Sequence, residues 1–220
     1  MKNLYFLLFT FLIQIQLNSQ IQKGKLTFEI ELTSEETELS SVLELLNGSQ
    51  MIILFDKDKT RSEVTLGSML SIATITDSSA DVAIVLMDGI SGKTALKSSI
   101  SEMEMILDTT ETTPIYLEEY KNILGYNCQK VSLQDVFGEE TIFWVTNEIQ
   151  VLKLGQHYLP DEIQGFPLEF EIINNGLKMK LTATQIEKSL IDIDYDVVFN
   201  TYIPKDYKIV SKEQLFQLGF

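Results

Sequence analysis

The chain has one cysteine, Cys128, and one histidine, His157, among 220 residues. A single cysteine excludes an internal disulfide, so the core must hold the fold together. A single histidine excludes the usual zinc sets and leaves one candidate base for a serine or cysteine triad. Proline is scarce at 4 residues and basic side chains are few, with 17 lysines and arginines against 32 acids. Phosphate backbones and anionic lipid surfaces repel so acidic a chain, and its lysines are scattered, so nucleic acid is not an expected partner. Long apolar runs are also missing. After the N-terminal segment the strongest is Val82 to Met87, which has strand length and cannot cross a bilayer, so no transmembrane segment is expected.

Met1-Lys2-Asn3, the apolar run Leu4 to Ile13 and the mostly polar Gln14 to Ser19 have the layout of a cleavable secretory signal. Residues 1–19 are read as signal, with cleavage before Gln20, and 20–220 as one domain that is periplasmic or secreted. The apolar fraction of 45% supports a packed core.

The chain is organised around Gly165 to Glu187, two strands joined at Asn175-Gly176, the pair a two-residue type I′ turn favours. Counting outward sets Ile172 opposite Met179, Phe170 opposite Leu181 and Leu168 opposite Ala183. Glu171 faces Lys180 on the other side. A one-residue slip would put glutamates against apolar positions, so the register is fixed. Gly24 to Leu32 alternates in the same way, with Leu26, Phe28, Ile30 and Leu32 on one face. Thr33 with Glu36 reads as a capping box, and Leu39, Val42, Leu43 and Leu46 follow as a helical stripe before Asn47-Gly48. The economical packing lays that stripe over the apolar face of the sheet.

Further hairpins are expected at Met51–Leu66, Ile72–Met87 and Tyr126–Val145, with an added strand at Lys93–Lys97. Ser101 with Glu104 and Ser211 with Gln214 read as capping boxes of short helices, Ile115–Leu124 suits neither class decisively, and Ile191–Asn200 reads extended. The expected fold is mainly β (α+β), one curved antiparallel sheet of about ten or eleven strands with two or three short helices over its concave face.

Four patterns resemble chemistry. Gly89-Ile-Ser-Gly-Lys-Thr94 ends like a phosphate loop, but Met87 replaces the first glycine and strands flank it, so a hairpin turn is the better reading. Asp56-Lys-Asp58 opens like a calcium loop and then fails at Arg61 and Gly67. Asp192, Asp194 and Asp196 would share one strand face, as a soluble edge or a cation site. Cys128 with His157 is a conceivable nucleophile and base, yet the cysteine's strand lacks the basic surroundings that lower a thiol pKa. No enzymatic activity, metal or cofactor is expected. What remains is apolar surface, including Met51, Met69, Met87, Met103, Met105 and Met179, whose thioethers suit ordinary core or a variable apolar partner.

The Gly24-Lys-Leu-Thr-Phe opening, Lys59-Thr-Arg-Ser-Glu63, Ile123-Leu-Gly-Tyr-Asn-Cys-Gln-Lys130, Gly165-Phe-Pro-Leu-Glu-Phe-Glu171 and Ile203-Pro-Lys-Asp-Tyr-Lys208 resemble an exported Gram-negative family similar to the GLPGLI proteins. Gly165-Phe166-Pro167 matches the start of the motif that names those proteins, and Leu168-Glu169 departs from its end. Such families look like relatives of the LolA-like periplasmic lipoprotein carriers. The resemblance implies a half-barrel with helices over a cavity for acyl chains, and a lipid or lipidated protein as ligand.

Joined to the face assignments, it gives an expected ligand-binding set of Leu26, Phe28, Ile30, Phe170, Ile172, Met179 and Leu181, with Leu39, Val42, Leu43 and Leu46 as a lid. The alternative expectation is a cell-envelope protein-interaction module with a filled core. N-terminal sequencing of the exported protein is expected to start at Gln20, and an intact Met1 after export would overturn the signal assignment.

Overall fold

In the computed structural model, residues 20–34, 40–107, 113–134, 140–153, 162–174 and 177–217 are described. The signal segment, His157, Pro160 and the Asn175-Gly176 turn lie outside these residues. Twelve strands form one open sheet: β1 Lys23–Ser34, β2 Gln50–Asp56, β3 Lys59–Leu66, β4 Leu70–Asp77, β5 Val82–Gly89, β6 Gly92–Ser98, β7 Ile115–Ile123, β8 Tyr126–Gln134, β9 Glu140–Thr146, β10 Phe166–Asn174, β11 Leu177–Glu187 and β12 Lys208–Ile209. Four short helices accompany them among the described residues: α1 Ser40–Leu45, α2 Ile100–Leu107, α3 Tyr195–Val198 and α4 Lys212–Gln217. The class is the expected one, mainly β with few helices.

The sheet order is β12-β6-β5-β4-β3-β2-β1-β11-β10-β9-β8-β7. Two antiparallel meanders, β1 to β6 and β7 to β11, are therefore joined where the first strand pairs the eleventh. That pairing runs from Lys25↔Glu187 to Ser34↔Leu177, with one irregularity between Thr27 and Phe28. Strictly consecutive order was expected, and this pairing and the parallel β12–β6 contact depart from it. The ambiguous stretch Ile115–Leu124 is strand, because a Leu124-Gly125 turn folds it onto β8, with Ile123 opposite Tyr126 and both turn residues at positive φ.

The organising hairpin has its expected register, with Ile172↔Met179, Phe170↔Leu181 and Glu171↔Lys180. Its charged face is tied diagonally: Lys178 bridges Glu171 at 2.6 Å and Lys180 reaches Glu169 at 3.8 Å. Lys121 adds a 2.6 Å bridge to Glu169 and lies over the Trp144 ring.

The strand face carrying Leu26, Phe28 and Ile30 is the inner face. Its main core joins these three to Met51, Ile53, Phe55, Phe143, Phe166, Phe170 and Leu181. Across β3 and β4 the inner face turns to hydroxyls, where buried Thr60 and Thr76 share a 2.5 Å hydrogen bond. Beyond them a second core of Ala83, Val85, Met87 and Leu96 packs with Ile100 and Met103 of α2 and with Val210 and Leu215 near α4. The α2 cap is Ser99 with Glu102, two residues earlier than expected: Glu102 N–H donates to Ser99 Oγ and Ser99 N–H donates to the Glu102 carboxylate. The Ser211–Gln214 box stands where expected.

On the outer face the C-terminal segment crosses the first meander. Ile203 and Tyr207 cover Ala73, Ile75, Ile84, Leu86 and Ala95. Arg61 Nη1 donates to Val198 O at 3.1 Å, Lys97 donates to Thr201 O at 3.0 Å, and Lys93 bridges Asp206 at 3.0 Å. Ile191–Asn200 is thus not extended. Asp194 caps α3 by accepting from Val197 N–H, Asp196 lies within that helix and Asp192 has φ +65°. The three aspartates do not line one strand face, because a side-chain cap competes well with extended backbone in a segment that has no strand to pair.

The Asp77 turn closes the β4–β5 hairpin. Its carboxylate accepts from Ser79 Oγ at 2.6 Å, Ser79 N at 3.1 Å and Ala80 N at 3.3 Å, and bridges Lys59 at 3.0 Å. Burial pushes its pKa up, but the Ser79 hydroxyl, the Lys59 ammonium and the Ala80 amide together hold it below the ordinary carboxylate value. A carboxyl depressed in the folded state contributes stability that is full above its unfolded pKa of ~3.9 and fades as pH falls through the folded value. Replacing Asp77 with asparagine is expected to lower stability at pH 7 by about 1–3 kcal/mol. It should also flatten the stability loss below about pH 4, read by urea melts across pH.

Candidate functional site

The expected ligand face divides into two. Leu26, Phe28, Phe170 and Leu181 come together, but as core, with Leu26, Phe28 and Phe170 each at 0% exposure. Phe28 meets Phe170 edge-on with ring centroids 6.2 Å apart, and Phe170 stacks on Phe143 at 5.8 Å. Ile172 and Met179 pack half-buried against the same core. Phe143 and Phe166 were not in the expected set, although each lies in a strand whose inner-facing positions are apolar.

The cover of this core is not the expected lid. Ile149, Val151 and Ile163, from the connection between β9 and β10, join the main core together with Ile21. Ile21 pairs Ile149 through Ile21 N to Glu148 O and Gln150 N to Ile21 O, both 2.9 Å. Alternating Ile149 and Val151 were the sequence signal for this, in a segment to which no strand or helix was assigned.

The helix expected as lid sits at the end of β2. Thr33 cannot cap it, because β1 runs on to Ser34 with Thr33 opposite Lys178. Ser49 Oγ donates to Leu46 O and accepts from Gly67 N, and Ser68 N donates to Leu45 O. Gly67 has φ +52°, and a Cβ there would stand 1.9 Å from Leu45 O, so only glycine lets the β3–β4 turn approach the helix end so closely. Leu46 is buried, yet outside the main core. Leu39 and the side chain of Val42 lie outside the described residues.

Between this helix end and β1 opens a groove of about 820 Å³, within the range of small-molecule sites. Its apolar lining is Phe28, Ile30, Leu32, Leu43 and Leu46. Its charged lining is Glu29, Glu31 and Glu44. Of the expected set, Phe28, Ile30, Leu43 and Leu46 line the groove. Leu26, Phe170, Ile172, Met179 and Leu181 are not in its lining.

The stretches that resembled catalytic motifs have structural places. Gly89 and Gly92 end β5 and begin β6 around a two-residue turn. Lys57 and Asp58 form the β2–β3 turn, with Lys57 at φ +48°. Cys128 is fully buried, and burial pushes its thiol pKa up to about 11. No described helix is long and apolar enough to cross a membrane.

No protein-family model matches the chain, and neither does any curated protein. Two crystal forms of PNGF-II resemble it over 89% and 90% of its length, at 15% and 16% identity and a TM-score of 0.51. The matches cover 32% and 33% of those chains, so this chain spans about a third of the length of PNGF-II. At this identity the likeness bears on the fold alone. A LolA superfamily protein from Nitrosomonas europaea aligns over 83% of this chain and 92% of its own, at 11% identity and a TM-score of 0.24. A DUF1329 family protein from Desulfovibrio piger aligns over 84% and 92%, at 10% and 0.26. TM-scores this low establish no common fold. The class defined so far is an open, mainly antiparallel twelve-stranded sheet with a groove of mixed polar and apolar lining beside its first strand.

The buried thiol gives a direct check. Iodoacetamide at pH 8 is expected to leave native Cys128 unlabelled over hours and to label it within minutes in urea, by intact mass, because the thiolate is the reactive form. Rapid labelling of the folded protein would contradict the buried position.

Proposed function

We propose that this is a non-enzymatic, periplasmic or secreted binding protein that holds an elongated hydrophobic ligand, a lipid or acyl chain, in the groove between α1 and β1. The observation that carries the reading is the groove itself: about 820 Å³, where half-buried Leu32 and Leu43 lie over buried Phe28, Ile30 and Leu46 among polar side chains. Apolar contact supplies the affinity, at roughly 25 cal/mol per Å² buried before association costs. The resemblance of its short motifs to an exported family similar to the GLPGLI proteins supports the same reading. The site differs from a cavity inside a half-barrel, because the inner face beneath β1, β10 and β11 is filled by its own side chains.

That filling favours a second reading, an envelope protein-interaction module. Fully buried Phe28 and Phe170 leave no room for a chain among them. The long edge strand β7 exposes Ile115, Tyr116 and Tyr120 to a partner.

Native mass spectrometry of protein purified without detergent, followed by organic extraction, separates the two. Added masses that extract as lipid, and that disappear in Leu43→Glu, are expected of the binding protein. A clean apo mass that stays clean after incubation with lipid vesicles would overturn the proposal and favour the interaction module. Phe170 is unsuitable for this test, since a charge in the core would cost the fold several kcal/mol.

A further inference from the structure

We propose that the edge strand β7 pairs antiparallel with β7 of a second copy of this chain, with Tyr120 on the two-fold axis between them. This surface is separate from the groove, whose lining includes no residue of β7.

The two ends of the sheet are finished differently. At one end β12, two residues long and parallel, covers part of β6. At the other end β7 runs for 9 residues without proline and pairs β8, and among the described residues no strand lies on its other side. The Leu124-Gly125 turn is closed by Ile123 opposite Tyr126, a pair whose hydrogen bonds lie inside the hairpin. Peptide groups alternate sides along a strand, so Tyr120 and Asn122 direct their N–H and C=O away from β8. Such a row of backbone groups is a template for a further strand.

The side chains select the partner. Large apolar residues are exposed at every fourth position of this edge: Tyr116 at 39%, Tyr120 at 53% and Leu124 at 45%. With Tyr120 opposite its own copy, Tyr116 of each chain comes alongside Leu124 of the other, so all three find apolar neighbours. The same register sets Lys121 opposite Glu119 twice, once on each side of the axis, and Asn122 opposite Glu118. Centring the pair on Lys121 would oppose two lysines, and centring it on Glu119 two glutamates. The edge is thus complementary to itself in one register. The irregularity of β7 between Tyr116 and Tyr120 keeps the ladder short, and a net charge of −15 opposes close approach, so the dimer is reversible.

The test is sedimentation velocity of the whole chain over about a hundredfold range of concentration at roughly 0.15 M salt, where charges more than about 8 Å apart are screened. The protein is expected to pass from monomer to dimer as concentration rises. Lys121→Glu and Glu119→Lys should each set like charges opposite one another twice and weaken the dimer about tenfold. Mixed in equal amounts, the two variants should dimerise as the unaltered protein does, because the introduced acid of one meets the introduced base of the other. Within each chain Lys121 also bridges Glu169 and Lys130 bridges Glu119. Mixing leaves those contacts as they are, so recovery reports the pairing between chains.

Tyr120→Cys decides the matter if a charge swap disturbs the fold. A hydrogen-bonded antiparallel pair holds its Cα atoms about 5.5 Å apart, within the span of a disulfide. Mild oxidation is expected to join two copies through this position about tenfold faster than through Ile173→Cys, an exposed site on β10, while buried Cys128 stays reduced. A protein that stays monomeric throughout the range, or a dimer indifferent to both charge swaps, would overturn the proposal. So would a mixture of folded variants that fails to recover, or equal rates of cross-linking at the two cysteines.

Discussion

The structure depends on the pairing of β1 with β11. Each meander can form from local hairpins, whose strands meet across short turns. The two become one sheet only when Lys25–Ser34 aligns with Leu177–Glu187. Closing a loop of roughly 150 residues carries a conformational-entropy cost that grows slowly with length, and burial along the seam must exceed it. Phe28, Ile30, Leu181 and Ala183 provide that burial, and the Phe28–Phe170 contact carries it one strand further. Because β1 is held on the β11 side to its last residue, it can outrun β2 on the other. The groove exists for that reason.

The two faces of the sheet are closed by different physics. The inner face is covered by apolar chain: Ile149, Val151 and Ile163 over the main core, α2 and α4 over the second. The outer face of the first meander is covered by a segment that packs Ile203 and Tyr207 on an apolar cluster and is tied by hydrogen bonds from Arg61 and Lys97 to its carbonyls and by the Lys93–Asp206 ion pair. Tyr195 adds an aromatic ring 5.5 Å from the Lys23 ammonium and 5.7 Å from that of Lys59. The groove lies beyond the main cover, at the end of β2.

Much of the strand pattern was legible because period-two alternation and turn chemistry are local. The register around Asn175-Gly176, the Asp77 turn and the Ser211 cap follow from residues within a few positions of one another. The errors share one cause. Thr33 and Glu36 make a plausible capping box, yet Thr33 remains in β1 because a strand from the far end of the chain pairs with it. Ile191–Asn200 alternates, yet no sheet edge receives it and Asp194 caps a turn of helix instead. Of the expected ligand residues, the period identified the inner-facing ones, but a face assignment cannot tell a side chain in a filled core, such as Phe170, from one lining a groove, such as Leu43.

The sequence by itself determined the class of the protein: an acidic chain without disulfides, built as a large antiparallel sheet from hairpins with fixed registers. Hydrophobic period and turn residues act over a few positions, so they are readable in one dimension. Tertiary structure alone decided that β1 joins β11, that the β9–β10 connection covers the core, and that the end of α1 stands against Gly67 beside the stretch of β1 that outruns β2. Those outcomes depend on which of several compatible surfaces meet in space, and the competition among them is settled by burial summed over the whole fold.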